Sequence, residues 1–379
     1  LQLVPLPPEV WTALPGRELL KGAAEVSDQP QPWRPLSISP SATANALGSL
    51  VVPALVLVLC AQLTRDQHRR IASILLGLIF AGSLLALLQF SGANFDNPLI
   101  NYQDAAVSGN FANRNHFALF VAIGCLLAPL WGFRGVGATR WTAIIAFTLL
   151  PFFLLVALAT GSRAGVLLTA LAIVAGLFFN RDEVKRQLQA LPRWAAGATV
   201  GLAIVLLVGA AALSFSLGRA VSIDRVFVSN AGEDLRAQAL PSVIETLMRY
   251  FPAGSGFGAF DPAYRIGEVD ALLQPRYFNH AHNDWLEVVL DGGVLSAVLL
   301  AAIIIWVGIS AVRIWRRKVQ NAGLALPGAF AVVLIMLASV PDYPARTPMI
   351  MALLVIAAAW LHLGSGSSSD AYPADRPRP

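Results

Sequence analysis

His116 to Gly132, HFALFVAIGCLLAPLWG, is an apolar run of about 17 residues with no Asp, Glu, Lys or Arg. At 1.5 Å per residue such a run is long enough, as a helix, to approach the thickness of a bilayer's hydrocarbon core. Eight more runs of similar length flank it, at about 45–63, 70–90, 141–159, 164–180, 196–216, 293–312, 322–340 and 347–363. About nine segments of this kind predict an all-α fold, a polytopic transmembrane helical bundle. Composition points the same way. The 379 residues are 56% hydrophobic and 13% charged, with a mean hydropathy of +0.64, too apolar for a soluble domain.

Orientation follows from the short basic connectors, because Lys and Arg are retained on the cytoplasmic side. Arg65 to Arg70, Arg134 to Arg140, Arg181 to Arg193 and Arg313 to Lys318 alternate as a bundle requires. This divides the chain into an outer Pro-rich segment (1–44), six spans (45–216), a long outer loop (217–283), three spans (284–363) and a disordered cytoplasmic tail (364–379). Residues 1–44 contain Pro5, Pro7, Pro8 and Pro15 and do not read as a signal peptide, so further spans are expected upstream. An inverted first span is the alternative.

Cys60 and Cys125 fall in apolar runs and imply no disulfide framework. The pI near 9.6 does not signal nucleic acid as a partner, because the basic residues divide between connectors and loops without forming a stripe. No solenoid period and no inverted transporter-type repeat is visible.

Three arginines occupy short outer connectors, where the topology rule disfavours them: Arg114, Arg163 and Arg346. A guanidinium is permanently charged and its planar fork matches phosphate oxygens, so outer arginines suit a phosphorylated lipid at the membrane surface. The plainer reading is that they reach lipid headgroups or a nearby carboxylate, as Arg346 could reach Asp342. Arg163 follows the Gly161-Ser162 turn and is held at a tight junction between two spans.

In the long loop, Gly232 to Tyr250 reads as helical, with Pro241 expected to break or kink it. Beyond the proline, Val243, Ile244, Leu247, Met248 and Phe251 recur at helical spacing, opposite Glu245 and Arg249. Arg236 lies on the preceding helical piece. Gly254-Ser255-Gly256-Phe257-Gly258 suits either a tight turn or close backbone approach to a ligand. The loop ends in His280-Ala281-His282-Asn283-Asp284, and Asp284 with Glu287 fits a capping box that starts a helix beside His282. His282 reads as a catalytic or substrate-orienting group. A structural His pair bonded to backbone groups is one competing reading, and His280 and His282 as zinc ligands is another, although a third ligand of recognisable spacing is missing.

Gly109 to His116, Gly161-Ser162-Arg163, Arg236, Gly254 to Phe260 and His280-Ala281-His282-Asn283 together resemble the bacterial O-antigen ligase and O-antigen polymerase superfamily. The resemblance covers about 45–365. It implies a metal-independent, GT-C-like membrane glycosyltransferase without cofactor, which uses an undecaprenyl-diphosphate-linked glycan as donor. The acceptor would be a lipid A core sugar or another glycan, and the active site would face the periplasm across the bacterial inner membrane. Carried over by motif, the essential residues are Arg163, Arg236 and His282, with Arg265 and Arg276 as further candidates beside Arg114, His280 and Arg346. Ligase, polymerase and protein-glycosylating branches share this donor. A lipid-linked glycan transporter, the reading from another class, would place charge near mid-span, where this sequence has almost none.

Overall fold

The computed structural model describes residues 1–91, 107–135, 137–190, 201, 231–273, 278–316 and 323–365. The expected span at 196–216 apart from residue 201, the loop residues 217–230, Arg276 and all of the tail after 365 lie outside the described residues.

The described chain is almost wholly helical. An N-terminal segment carries a two-residue antiparallel pair, β1 (Pro5–Leu6) with β2 (Arg34–Pro35), and the short helices α1 (Pro8–Trp11) and α2 (Glu18–Val26). The long apolar helices follow: α3 (Pro40–Ser49) running into α4 (Val51–Gln62), α5 (Arg65–Ser91), α6 (Arg114–Arg134), α7 (Arg140–Ala159) and α8 (Arg163–Phe179). Then come α9 (Arg181–Ala190), the loop helices α10 (Ala231–Tyr250) and α11 (Phe260–Arg265), and finally α12 (Asp284–Arg316), α13 (Ala325–Ala338) and α14 (Pro348–Ser365). Among the described residues five helices are long and apolar enough to span a membrane, counting α3 with α4 as one. A sixth would be α8 with the start of α9, bent by 77°, and α13 and α14 are shorter apolar helices. The helix limits fall within several residues of seven of the eight expected runs that can be compared; α12 starts earlier than its run, at Asp284, and the non-helical Gly293 breaks it where the run was expected to begin.

The apolar run His116 to Gly132 is the axis of the bundle. α6 is buried along nearly its whole length and packs against α5, α7, α8 and α13. Without a hydrophobic driving force between helices in lipid, close packing needs small residues at the crossings. They are present: a Cβ on Gly165 of α8 would lie only 2.3 Å from Ala118 Cβ of α6, and one on Gly132 of α6 as close to Ala146 Cβ of α7. By contrast α4, much of α5 and the second part of α12 expose apolar side chains, among them Leu55, Leu59, Leu78, Leu295, Leu299 and Ile305. Such a surface suits hydrocarbon.

One local expectation needs correction. Pro241 neither ends nor divides its helix, since α10 runs through it to Tyr250. Of the apolar stripe of α10, Val243 is buried, whereas Ile244 and Met248 are exposed. Buried in their place are Ala239, Ser242, Thr246 and Tyr250, and the Thr246 hydroxyl is satisfied by the Ser242 carbonyl at 2.8 Å. The N-terminal segment is a folded part of the loop end. Arg17 is buried and donates to the carbonyls of Pro15, Leu36 and Gly254 at 2.6–2.8 Å, its guanidinium 5.3 Å from the Tyr250 ring centre. Residues 1–39 therefore sit at the same end of the molecule as α10 and α11.

Candidate active site at the loop end of the bundle

Three helix N-termini meet here. α6 starts after Asn113, whose side chain accepts from Asn115 N at 2.8 Å, and α8 starts after Ser162, whose hydroxyl accepts from Gly165 N at 3.0 Å. For α12 the cap is Asn283, which accepts from Leu286 N at 3.1 Å. This corrects the expected capping box at Asp284. Asn and Asp suit a cap equally well, and Asp284 is drawn elsewhere, accepting from the Ser339 hydroxyl at 2.9 Å and from Ala345 N at 3.0 Å. Between these helix starts is a cavity of about 400 Å³ whose lining includes His116, Arg163, Arg236, His282 and Asp342. Each helix N-terminus carries a partial positive charge, so the cavity favours an anion even before its arginines are counted.

The centre of the polar network is Asp342, in the connector between α13 and α14. It is 2% exposed. Its Oδ2 accepts from Asn113 Nδ2 at 3.1 Å and Asn115 Nδ2 at 2.5 Å, and lies 4.0 Å from Arg236 Nη1. Its Oδ1 lies 3.8 Å from His116 Nε2 and 3.5 Å from His282 Nδ1. Burial alone would raise its pKa, yet His116, His282 and the Arg236 charge hold it well below the usual carboxylate range. It is an anion at any working pH.

His282 has φ +49°, in the left-handed region that residues with a Cβ rarely adopt. Holding it there costs on the order of 1–2 kcal/mol, and such strain is met where a side chain must be aimed. The neighbouring backbone is pinned by buried Glu287, which accepts from Ala281 N and from His280 Nδ1, both at 2.8 Å. His282 Nδ1 is buried and within ion-pair reach of Asp342, although outside hydrogen-bond geometry. Burial pushes the His282 pKa below 6.5, with Asp342 opposing and Arg236 reinforcing the shift. The imidazole is therefore neutral at pH 7.

The structure brings His282, Arg236 and Arg163 to one cavity, while the other candidates lie apart. Arg163 is the first residue of α8, and Arg236 donates to the Pro341 carbonyl at 3.3 Å. Arg114 opens α6 but does not line the cavity. His280 is held by Glu287, its ring centre 4.3 Å from that of Tyr343. Arg265, half-exposed, pairs with Asp261 at 2.8 Å on α11, whose Phe260, Ala263 and Tyr264 are buried. The Gly254 to Gly258 turn lies outside the cavity lining. It is packed down by Ser255 N and Gly256 N donating to Leu290 O and Asp291 O, both at 2.9 Å.

Arg346 is the clearest departure. It does not pair with Asp342 but sits among three carboxylates of α12, 3.4 Å from Asp284, 3.2 Å from Glu287 and 3.3 Å from Asp291. These follow one another at 284, 287 and 291, a single helix face, and Glu287 and Asp291 are fully buried. One guanidinium therefore offsets part of the charge of a buried acidic stripe and ties the last connector to α12. Arg346→Ala is expected to destabilise the protein by about 3–5 kcal/mol, because the carboxylates would be left buried and uncompensated. Thermal melting in detergent checks this, and an unchanged melting temperature would remove the brace.

Sequence reasoning missed Asp342 as the hub and His116 as its partner. The signal available was an acidic residue between two prolines, Pro341-Asp342-Tyr343-Pro344, in a short connector between apolar helices, and a buried-run histidine at the start of α6. Among the described residues no three His, Cys, Asp or Glu side chains are grouped to hold a metal ion.

No curated protein gives a significant match to the chain. The family model described as O-Antigen ligase matches residues 147–301, from within α7 through α8, Arg236 and the His280 to Asn283 segment into α12. That match supports, over the stretch that carries all three cavity candidates, placing the chain in the O-antigen ligase and O-antigen polymerase superfamily.

Proposed function

We propose that this multi-pass membrane protein is an O-antigen ligase-like, metal-independent inverting glycosyltransferase. In this reading it moves a glycan from an undecaprenyl-diphosphate carrier to a sugar hydroxyl of the lipid A core, on the periplasmic face of the inner membrane. The observation that carries the reading is the convergence of His282, Arg236 and Arg163, from three separated parts of the chain, on one cavity ringed by helix N-termini. A diphosphate leaving group gains negative charge as its bond to the anomeric carbon breaks, and guanidinium groups with helix ends fixed in advance stabilise that charge. The acceptor oxygen forms the new bond on the opposite face, which inverts the anomeric centre. Its proton passes to His282. With Nδ1 turned to Asp342, Nε2 is the nitrogen left for that proton, and the Asp342 anion stabilises the imidazolium formed.

The test is transfer from purified lipid-linked donor to lipid A core in the presence of EDTA. Full activity supports the reading, and abolition by the chelator would favour the zinc alternative. In a deletion strain, long chains lost from lipid A but accumulated on the carrier are the expected profile. Single-repeat caps would mark a polymerase.

Orientation has its own check. Cys60 and Cys125 are buried, so background labelling is low. A cysteine at exposed Ala271 is expected to react with an impermeant maleimide in outer-membrane-permeabilised cells, whereas one at exposed Gln67 is expected to be protected. The opposite pattern would invert the topology.

A further inference from the structure

At the far end of α6, about 20 residues and hence about 30 Å along the helix from Asn115, lies a second cavity of about 480 Å³. It is bounded by the first turns of α5, the last turns of α6, Glu183 of α9 and the Gly323-Leu324 turn before α13. Its inner wall is apolar, formed by Leu127, Leu130, Trp131 and Ile74. Its rim is cationic: Arg69, Arg70 and Arg134 face a single carboxylate, Glu183. Arg134 donates to Glu183 at 2.8 Å, but its Nε is buried with no hydrogen-bond partner among the described residues. Arg70 is exposed, and Arg69 makes only a 3.3 Å contact with exposed Asp66. On one side the apolar wall continues onto Ile74 and Leu78, both more than half exposed.

A ligand that matches this site must have two characters. Its head has to be anionic and rich in acceptor oxygens, to meet the excess positive charge and the orphaned Arg134 donor. Its body has to be hydrocarbon, to lie along Ile74 and Leu78 where the wall opens to the surrounding lipid. Inorganic phosphate would leave the apolar wall uncovered, and a zwitterionic lipid would leave the charge unbalanced. We propose that this cavity binds an anionic phospholipid, its phosphate between Arg69, Arg70 and Arg134 and its acyl chain against α5. Basic pockets between membrane helices suit such headgroups.

The experiment is native mass spectrometry of the full chain in detergent, titrated with phosphatidylglycerol or with phosphatidylcholine of the same acyl chains. Phosphatidylglycerol is expected to be retained and phosphatidylcholine lost. The exposed pair R69Q/R70Q should weaken phosphatidylglycerol binding by about 30-fold, on the order of fivefold for each arginine. R65Q/R140Q, which removes two exposed charges outside the cavity lining, should leave it unchanged, and millimolar inorganic phosphate should displace nothing. Equal retention of the two lipids, an equal loss in R65Q/R140Q, or displacement by inorganic phosphate would each overturn the proposal.

Discussion

His282→Asn is expected to lower glycan transfer by about 10²-fold or more, the usual contribution of a positioned general base. Asparagine is the informative replacement, because it tolerates the left-handed backbone that His282 occupies and so removes the imidazole with the least disturbance of the turn. The pH profile carries a second reading. Burial sets the His282 pKa below 6.5, so the neutral base survives on mild acidification, and the acid limb of the rate should have its midpoint below 6.5. Asp342→Asn removes the anion that opposes that shift. It should move the limb lower still and slow transfer across the whole range, since the imidazolium loses its counter-charge. Near-normal transfer by His282→Asn, in protein of unchanged melting temperature, would end the general-base role.

Arg163→Ala and Arg236→Ala are each expected to reduce turnover by about 10²–10³-fold, the effect of deleting one fixed donor from a site where anionic charge develops. Lysine should rescue little. It restores the charge as a point but not the planar fork that grips two phosphate oxygens together. Comparing the alanine and lysine variants in the purified assay separates charge from geometry, and full activity in both lysine variants would discard the bidentate argument. Arg265→Ala should remain close to wild type, since that residue pairs with Asp261 away from the cavity.

What could be read in advance was whatever a residue declares through its own neighbourhood in the chain. The apolar runs declared the helices, Arg163 and His282 stood out because a cation or a polar turn at the edge of a membrane span is costly without a purpose, and Arg236 entered through the family resemblance. Asp342 declared nothing of the kind. Its importance comes from Asn113 and Asn115, more than 220 positions away, and from His282, which is brought to it only when the last two helices have packed. Arg346 misled for the same reason: Asp342 is the near carboxylate in sequence, but the acidic face of α12 offers three in space. The capping box failed more subtly. Asn283 and Asp284 are equally good caps, and only the Ser339 and Ala345 donors decide which is free to act as one. The Pro-rich start hid its fold because Arg17 is satisfied largely by carbonyls, which no side-chain pattern records.

The connector 341–346 reaches the site late in synthesis. Arg163, Arg236 and His282 have all left the ribosome before Asp342 and Arg346, and until those two arrive the arginines and histidine surround an empty centre while Asp284, Glu287 and Asp291 repel one another. A nascent chain halted before this connector would thus hold its cationic and acidic groups on the two sides of a gap, inactive and electrostatically unstable. The helix pair α13 and α14 acts as the closing stitch: the cavity acquires its geometry and its charge balance in one step.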